Sequence, residues 1–324
     1  MRRWGQFAIG VVLAGLCLWL ILRDLDRAAL TEAFRNPDPR WLALGFLFWA
    51  MGYAVRILRW RAMLAVANPS LGFWRCAVPF LGSIAANNVL PFRLGDVLRC
   101  LAFSRWLSVD AGTVTATVLA ERLLDLLTVL VAAGLAILIL APSEGALGLL
   151  GVGAWGLVTL GGLALGLLLA PGLLRPLARG VVAATRALHP GIGTRLAAFA
   201  EPLLETLVSL SRGRRMLGLI AASAVVWTCE GAVYWAVAMA IPAMTAPEAA
   251  WLAMPVGTLA TLLPSTPGYI GTFDYFAIAA AEAGGNSTPA ATAFAVLVHA
   301  YFYIPVSILG GLSLLIWRLQ RGRE

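Results

Sequence analysis

Three charged side chains lie close together in a long apolar stretch of the sequence. Glu121 and Asp125 are four residues apart and so share one face of a helix, with Arg122 beside them. They fall near the middle of the apolar run 108–140, where each charge costs at least about 2.5 kcal/mol to insert into a membrane. We predict that they either act on a transported solute or form a static network of ion pairs between helices.

Two further ionisable groups are central in apolar runs. Glu230 lies within 216–242, and His299 lies within 288–317 beside Tyr303. A carboxylate at such a depth favours a functional role. A single histidine there more often hydrogen-bonds to a neighbouring helix than relays protons. Both residues are candidates for the same site.

A cluster of polar residues follows another short apolar stretch. It contains Asn87, Asn88, Arg93, Asp96 and Arg99. Arginine offers a fork of donors that suits phosphate oxygens. The asparagines can bind a headgroup or cap freed backbone groups, and the aspartate is expected to hold one of the two arginines in place. A solvated turn on the cytoplasmic side is the alternative.

A Leu-Pro pair ends each of two short apolar stretches, at Pro91 and at Pro264. A polar turn with glycine follows each pair, and then an aspartate opens the next helix. Because proline removes a backbone donor and glycine loosens the chain, backbone groups are freed to face a cavity. We predict two re-entrant hairpins, 73–105 and 251–287, related as an inverted repeat with the substrate between their tips. Ordinary kinked helices are the alternative. The site residues predicted at the second tip are Pro264, Pro267, Gly268, Gly271 and Asp274.

The elements that must position these residues are membrane helices. Of the 324 residues, 60% are hydrophobic and 12% are charged, whereas soluble domains carry about 25% charged residues. Lipid must therefore be the solvent for most of the chain, and a spanning helix needs about 20 apolar residues. We predict an all-α polytopic membrane protein, one domain over 1–324, with six spans plus the two hairpins, or eight spans if the hairpins cross. The six predicted spans are 4–22, 41–60, 108–140, 146–170, 216–242 and 288–317.

The placement of arginines orients the predicted helices. Arginines cluster before the first span, after the second (including Arg59), in 171–215 and at the end of the chain, whereas 141–145 and 243–250 contain none. By the positive-inside rule, both termini are cytoplasmic in a multi-pass protein of the bacterial inner membrane. The loop 23–40 must then face outward, although it holds four arginines.

The segment 171–215 carries an apolar stripe at helical spacing. Its members are Ile192, Leu196, Phe199, Leu203, Leu207 and Leu210. The stripe predicts an amphipathic helix lying on the cytoplasmic leaflet, where its arginines meet anionic headgroups. Packing against the underside of the protein itself is the alternative.

Composition also excludes several kinds of protein. The net charge of +8 is spread around apolar runs, so no basic domain exists to bind nucleic acid. The four cysteines are scattered and form no CxxC pair, which argues against zinc and disulfides. We predict no metal site and no cofactor.

Three motifs, in this order and spacing, resemble those of the lysylphosphatidylglycerol synthase transmembrane family, also called flippase-like. The first runs from Asn87 to Arg99, the second is the Glu121 cluster, and the third runs from Pro264 to Asp274. Members often have Gly-Gly and Glu in the last motif, where this chain has Gly-Tyr and Asp. The resemblance implies a stand-alone membrane unit, since no soluble aminoacyl-transferase domain follows Glu324.

The resemblance and the charged residues together favour a lipid translocator and not an enzyme. The cargo would be an amphipathic lipid, anionic or of the polyprenyl type, with Arg93 and Arg99 on its headgroup. Glu121, Arg122, Asp125 and Asp274 would gate the passage or balance its charge. One rival is a membrane-embedded glycosyl- or headgroup-transferase, for which Asp24-Leu25-Asp26 is a weak metal motif. Another is an accessory scaffold for a cell-envelope lipid biosynthetic enzyme. The expected partners are membrane lipids and such an enzyme.

Overall fold

The computed structural model describes residues 27–90, 93–140, 159–263 and 266–321, and within these ranges the chain is helical with no strand. The first half comprises α1 (Arg27–Ala33), α2 (Pro39–Leu64), α3 (Phe73–Val89), α4 (Leu94–Leu101), α5 (Ser104–Leu107) and α6 (Ala111–Leu140). The second half comprises α7 (Thr159–Leu169), α8 (Arg175–Leu188), α9 (Pro190–Leu210), α10 (Gly213–Ala240), α11 (Ala250–Ala260), α12 (Thr272–Ala283) and α13 (Thr288–Arg321). The all-α fold class is therefore confirmed.

Some predictions lie outside the described residues. These are the span 4–22, the acidic stretch Asp24-Leu25-Asp26, the loop 141–145, the beginning of the span 146–170, and Pro264. A single domain over the whole chain stays a prediction.

Local chemistry sets several helix ends. Asp38 caps α2, since its side chain accepts a hydrogen bond of 2.8 Å from the backbone N–H of Arg40, and Pro39 occupies the first helical position. Helix α3 ends at Val89 because Leu90 precedes Pro91 and adopts an extended conformation (φ −95°, ψ 140°). The Leu-Pro pair thus ends the helix as the sequence predicts.

Within the described residues, three helices are long and apolar enough to cross a membrane, namely α2, α10 and α13. Helix α7 and the segment Pro171–Leu188 pass the same test as a pair bent by 90°. Helix α6 has 30 residues, which corresponds to a length of roughly 45 Å. These helices coincide with predicted spans, although their ends differ by a few residues. The exact number of spans stays a prediction.

The two predicted hairpins are pairs of short helices. Helices α3 and α4 have 17 and 8 residues, and α11 and α12 have 11 and 12. Each is shorter than the roughly 20 residues that a spanning helix needs. Within each pair the second helix packs back against the first. Their re-entrant course in a bilayer stays a prediction.

The packing of the two halves is reciprocal. Helix α2, which precedes the first hairpin, packs along α10, which precedes the second. Helix α3 of the first hairpin packs along α13, and helix α11 of the second packs against α6. This exchange of partners is the one that the predicted inverted repeat would give, and the repeat itself stays a prediction.

The segment after the 90° bend divides into two helices with different surroundings. Helix α9 packs against α6 and buries Thr206, Leu207 and Leu210. Helix α8 has no buried residue and exposes Leu177 and Leu188. The predicted packing against the protein itself therefore applies to α9. Helix α8 has an exposed apolar face that a lipid leaflet could cover.

Candidate functional site

A cavity of about 220 Å³ lies between the tips of the two hairpins. Its walls come from α2, α3, α6, α10, α11, α12 and α13 together with the two tips. The predicted site residues that line it are Asn87, Asn88, Arg93, Glu121, Arg122, Asp125, Glu230, Gly268 and His299. Asp96, Arg99, Pro267, Gly271 and Asp274 lie outside its lining. The structure therefore brings nine predicted residues around one space.

The two hairpin tips touch through Arg93. One nitrogen of its guanidinium group, Nη2, donates to the backbone oxygen and to the hydroxyl of Thr261, both at 3.2 Å. The guanidinium carbon lies 5.5 Å from the centre of the Tyr269 ring. The backbone of Arg93 is left-handed (φ 51°, ψ 39°), which an arginine rarely adopts. This turn directs the side chain from the first tip to the second.

Close backbone approach returns α4 against α3. A Cβ atom on Gly95 would lie 1.9 Å from the carbonyl oxygen of Ser83, so only glycine fits there. The return brings Asp96 to Asn87, whose amide donates to the carboxylate at 3.0 Å and whose oxygen accepts from the Asp96 backbone at 3.2 Å. Arg122 donates to the same carboxylate at 2.8 Å. The expectation that Asp96 holds Arg93 or Arg99 is wrong, because α4 turns this carboxylate towards α6.

Arg99 is fully buried and lies outside the cavity lining. It donates to Glu121 at 2.9 Å, and its guanidinium carbon lies 4.8 Å and 5.0 Å from the ring centres of Trp60 and Phe80. Glu121 is thus neutralised by an arginine of the first hairpin. The same burial removes Arg99 from direct contact with a headgroup in the cavity.

Helix α2 supplies two arginines that the sequence analysis did not assign to the site. Arg59 is 2% exposed and donates to Asp125 at 2.8 Å and to the Ser223 hydroxyl at 2.6 Å. Arg56 forms an ion pair with Glu230. The use of Arg59 as a marker of a cytoplasmic loop is wrong, because α2 continues to Leu64 and keeps this side chain inside the bundle. A charge inside the predicted span 41–60 was the available signal for both.

The charges around the cavity almost cancel. The pairs Arg56–Glu230, Arg59–Asp125, Arg99–Glu121 and Arg122–Asp96 neutralise four arginines and four carboxylates. Arg93 is the remaining arginine, and within the described residues no carboxylate lies within ion-pair distance of it. Arg93 is partly buried, and a partly desolvated cation without a counter-charge favours an anion as its partner.

The second tip is held by His299. The ring contacts the Asp274 carboxylate at 2.8 Å through Nδ1 and the Gly268 carbonyl at 2.9 Å through Nε2. The second oxygen of Asp274 accepts from the backbone of Gly271 at 2.8 Å and caps α12. Gly268 has φ 72°, and a Cβ atom there would lie 2.6 Å from the ring of Tyr303. Gly271 and Asp274, which lie outside the cavity lining, are thus connected to the site through hydrogen bonds.

Aromatic and hydroxyl side chains complete the lining, and the sequence analysis missed them as site members. They are Tyr53, Phe80, Tyr234, Thr258, Thr261, Tyr269, Phe273, Phe302 and Tyr303, with Ile84. Aromatic residues are common throughout this chain, so their types alone gave no signal. The cavity therefore combines Arg93, which has no carboxylate partner in the described part of the chain, with apolar and hydroxyl-bearing walls. Such a space can hold an anionic oxygen on an apolar molecule. Among the described residues, no group of three potential metal ligands occurs.

The fold and the cavity define a polytopic helical membrane protein with buried charges between two short helical hairpins. The chain belongs to the lysylphosphatidylglycerol synthase TM region family, whose model matches residues 7–310. The resemblance inferred from the three motifs is thereby confirmed.

A curated relative is the glycosyltransferase AglD of Haloferax volcanii. The two sequences are 25% identical over 362 aligned positions, which cover 97% of this chain and 56% of the relative. The chain therefore spans little more than half of the length of that protein.

Proposed function

We propose that this protein is a lipid translocator that moves an amphipathic lipid with an anionic, phosphate-bearing headgroup across the membrane. Arg93 carries the proposal, as the cavity arginine that no carboxylate in the described chain neutralises. It spans the contact between the two tips, so a headgroup bound there would touch both hairpins. A guanidinium group binds phosphate oxygens through two parallel hydrogen bonds.

The cavity suits a headgroup better than a whole lipid. Its volume of about 220 Å³ is below the roughly 300–1,000 Å³ of pockets for drug-sized ligands. Acyl chains would stay in the bilayer while the headgroup passes between the tips. The four ion pairs would neutralise one another, and Arg93 would supply the positive charge that the passing headgroup meets.

The cellular setting follows from the arginine pattern. We place the protein in a bacterial inner membrane with both termini and the segment 171–215 on the cytoplasmic side. Its partners would be membrane lipids and an enzyme of cell-envelope lipid synthesis that supplies or consumes the cargo.

Lipid flipping in vesicles tests the proposal. The purified protein is reconstituted, and loss of fluorescence of labelled phosphatidylglycerol on addition of an impermeant quencher is followed. Arg93→Gln is expected to slow flipping at least about tenfold, because a desolvated phosphate loses its counter-charge. Arg93→Lys keeps the charge without the bidentate fork and should be a partial loss. Arg105→Gln is the matched control, since Arg105 is exposed and lies outside the cavity lining.

Two results would contradict the proposal in different ways. Parent protein that flips no faster than protein-free vesicles would refute translocation itself. Normal flipping by Arg93→Gln at normal expression would remove Arg93 from the site.

A second candidate function is supported by the name of the Haloferax relative, which is a glycosyltransferase. On this proposal the cavity would hold a lipid-linked donor or acceptor during transfer. Incubation of the purified protein with a lipid-linked sugar donor, followed by mass spectrometry of the lipids, separates the two. Turnover of the donor without flipping would favour the transferase.

A further inference from the structure

Both ring nitrogens of His299 face oxygen atoms. Nδ1 lies 2.8 Å from Asp274 Oδ1, and Nε2 lies 2.9 Å from the carbonyl oxygen of Gly268. The other carboxylate oxygen already accepts from the backbone N–H of Gly271. The histidine therefore ties α13 to both ends of the second tip, namely the turn at Gly268 and the start of α12.

The hydrogens in this arrangement can be counted. A carbonyl oxygen and an ionised carboxylate only accept, and a neutral imidazole carries one N–H for its two nitrogens. With an ionised aspartate and a neutral histidine, one ring lone pair would therefore face an oxygen lone pair. One additional proton removes this conflict, either on the ring, which then donates twice, or on the carboxyl group, which then donates to Nδ1.

We propose that His299 and Asp274 form a proton-binding site whose proton holds the second hairpin tip closed against α13. This proposal rests on the proposed function, because it makes release of that tip a step of lipid translocation. The ligand is a proton taken from water in the cavity, which both His299 and Gly268 line.

Loss of the proton releases one of two contacts. If the remaining ring hydrogen is on Nδ1, the contact to the Gly268 carbonyl becomes repulsive and the turn separates from α13. If it is on Nε2, the contact to Asp274 becomes repulsive and the start of α12 separates. In both cases the tip loses one of its attachments on the side that faces Arg93 and the headgroup path.

The other carboxylates around the cavity are paired with arginines. The carboxylates of Asp96, Glu121, Asp125 and Glu230 each lie against an arginine, which does not release its proton in proteins. Arg93 faces the same space from the first tip, and Tyr234, Tyr269 and Tyr303 face it from α10, the second tip and α13. Among the described ion pairs lining or adjoining the cavity, His299–Asp274 is the pair whose cationic partner can itself gain or lose a proton.

Nitrogen-15 NMR of the imidazole tests the site without reference to transport. The chain has two histidines, and His189 is exposed between α8 and α9, so His189→Gln leaves the signal of His299 alone. We expect both ring nitrogens of His299 to shift together if the ring releases the proton on raising the pH, and the carbon-13 signal of the Asp274 carboxyl group to shift if that group releases it. In Asp274→Asn the asparagine oxygen can cap Gly271 and its amide can donate to Nδ1. This variant should keep the closed tip with a neutral ring and lose the titration.

Flipping assays connect the site to transport. The parent is expected to flip labelled phosphatidylglycerol severalfold faster at alkaline than at mildly acidic pH, whereas Asp274→Asn should stay slow at every pH. His189→Gln should follow the parent. If neither the His299 ring nor the Asp274 carboxyl carbon responds to pH, or if Asp274→Asn keeps a normal pH profile, the proton site is overturned. Absence of flipping in the parent with an intact NMR titration would refute the proposed function alone.

Discussion

The ion pair between Arg99 and Glu121 illustrates what individual charges do at this site. Both side chains are almost fully buried, at 1% and 3% exposure, and three of their polar atoms have no hydrogen-bond partner among the described residues. A buried ion pair contributes little net stability, but removing one member leaves an uncompensated charge. Arg99 therefore acts on the cavity by fixing Glu121, which lines it, and not by touching a headgroup.

Substitution of this pair gives a test at the residue scale. Arg99→Gln should lower the free energy of unfolding by about 3–5 kcal/mol, because Glu121 is left buried and charged. Arg99→Gln combined with Glu121→Gln should recover most of that loss. Thermal unfolding of the purified protein in detergent measures both, with Arg105→Gln as the exposed control.

The double variant also separates structure from function. Recovery of stability without flipping would place Glu121 in the site, whereas recovery of both would make the pair purely structural. Equal stability of the single and the double variant would contradict the coupling between Arg99 and Glu121.

At the scale of elements, α8 packs on α9 and yet has no buried residue. It follows a 90° bend after α7, and Leu177 is 66% exposed. Arg175, Arg179 and Arg186 recur at spacings of four and seven residues on the opposite side, where they line a groove with α9. An apolar face opposite a basic face is the pattern of a helix that lies in the membrane interface.

A fluorescent label on α8 tests this placement. In nanodiscs with anionic lipids, a polarity-sensitive dye on a cysteine at position 177 should emit at shorter wavelength and be quenched by lipid-borne nitroxide. The same dye at position 179 should report water, since the two positions lie on opposite faces. The four native cysteines are replaced before the labelling cysteine is introduced. Equal emission and quenching at both positions would exclude an interfacial helix.

The hairpins show which features of an element the local sequence predicts and which it does not. The Leu90-Pro91 pair predicts where α3 ends, and the structure ends it there. The return of α4 depends on close contact between Gly95 and Ser83, which only the packed hairpin reveals. The contact between the two tips joins positions 168 residues apart, Arg93 and Thr261, so no local rule could give it.

At the scale of the whole molecule, the arginine asymmetry predicts the orientation. The positive-inside rule places both termini and the segment 171–215 on the cytoplasmic side of the membrane, and the loop 243–250 on the outer side. The reassignment of Arg59 to the interior removes one arginine from that count, while the seven arginines of 171–215 remain. The orientation therefore still rests mainly on that segment.

Cysteine labelling in intact cells tests this orientation. In a background without native cysteines, an impermeant maleimide should react from outside with a cysteine at position 243, which is exposed in the loop after α10. A cysteine at position 194, exposed on α9, should react only after the membrane is opened. The reverse pattern would invert the proposed topology.

The sequence by itself determined three things. These are the all-α membrane class, the positions at which the two hairpins turn, and several acids and arginines of α3 to α6 that lie at or beside the cavity. These conclusions follow from composition and from proline, glycine and charge acting over a few residues. Only the tertiary structure decided which charges pair, because the rotation and packing of helices bring together residues as distant as Arg56 and Glu230, 174 positions apart. That pairing leaves Arg93 without a carboxylate partner in the described chain and joins His299 to Asp274.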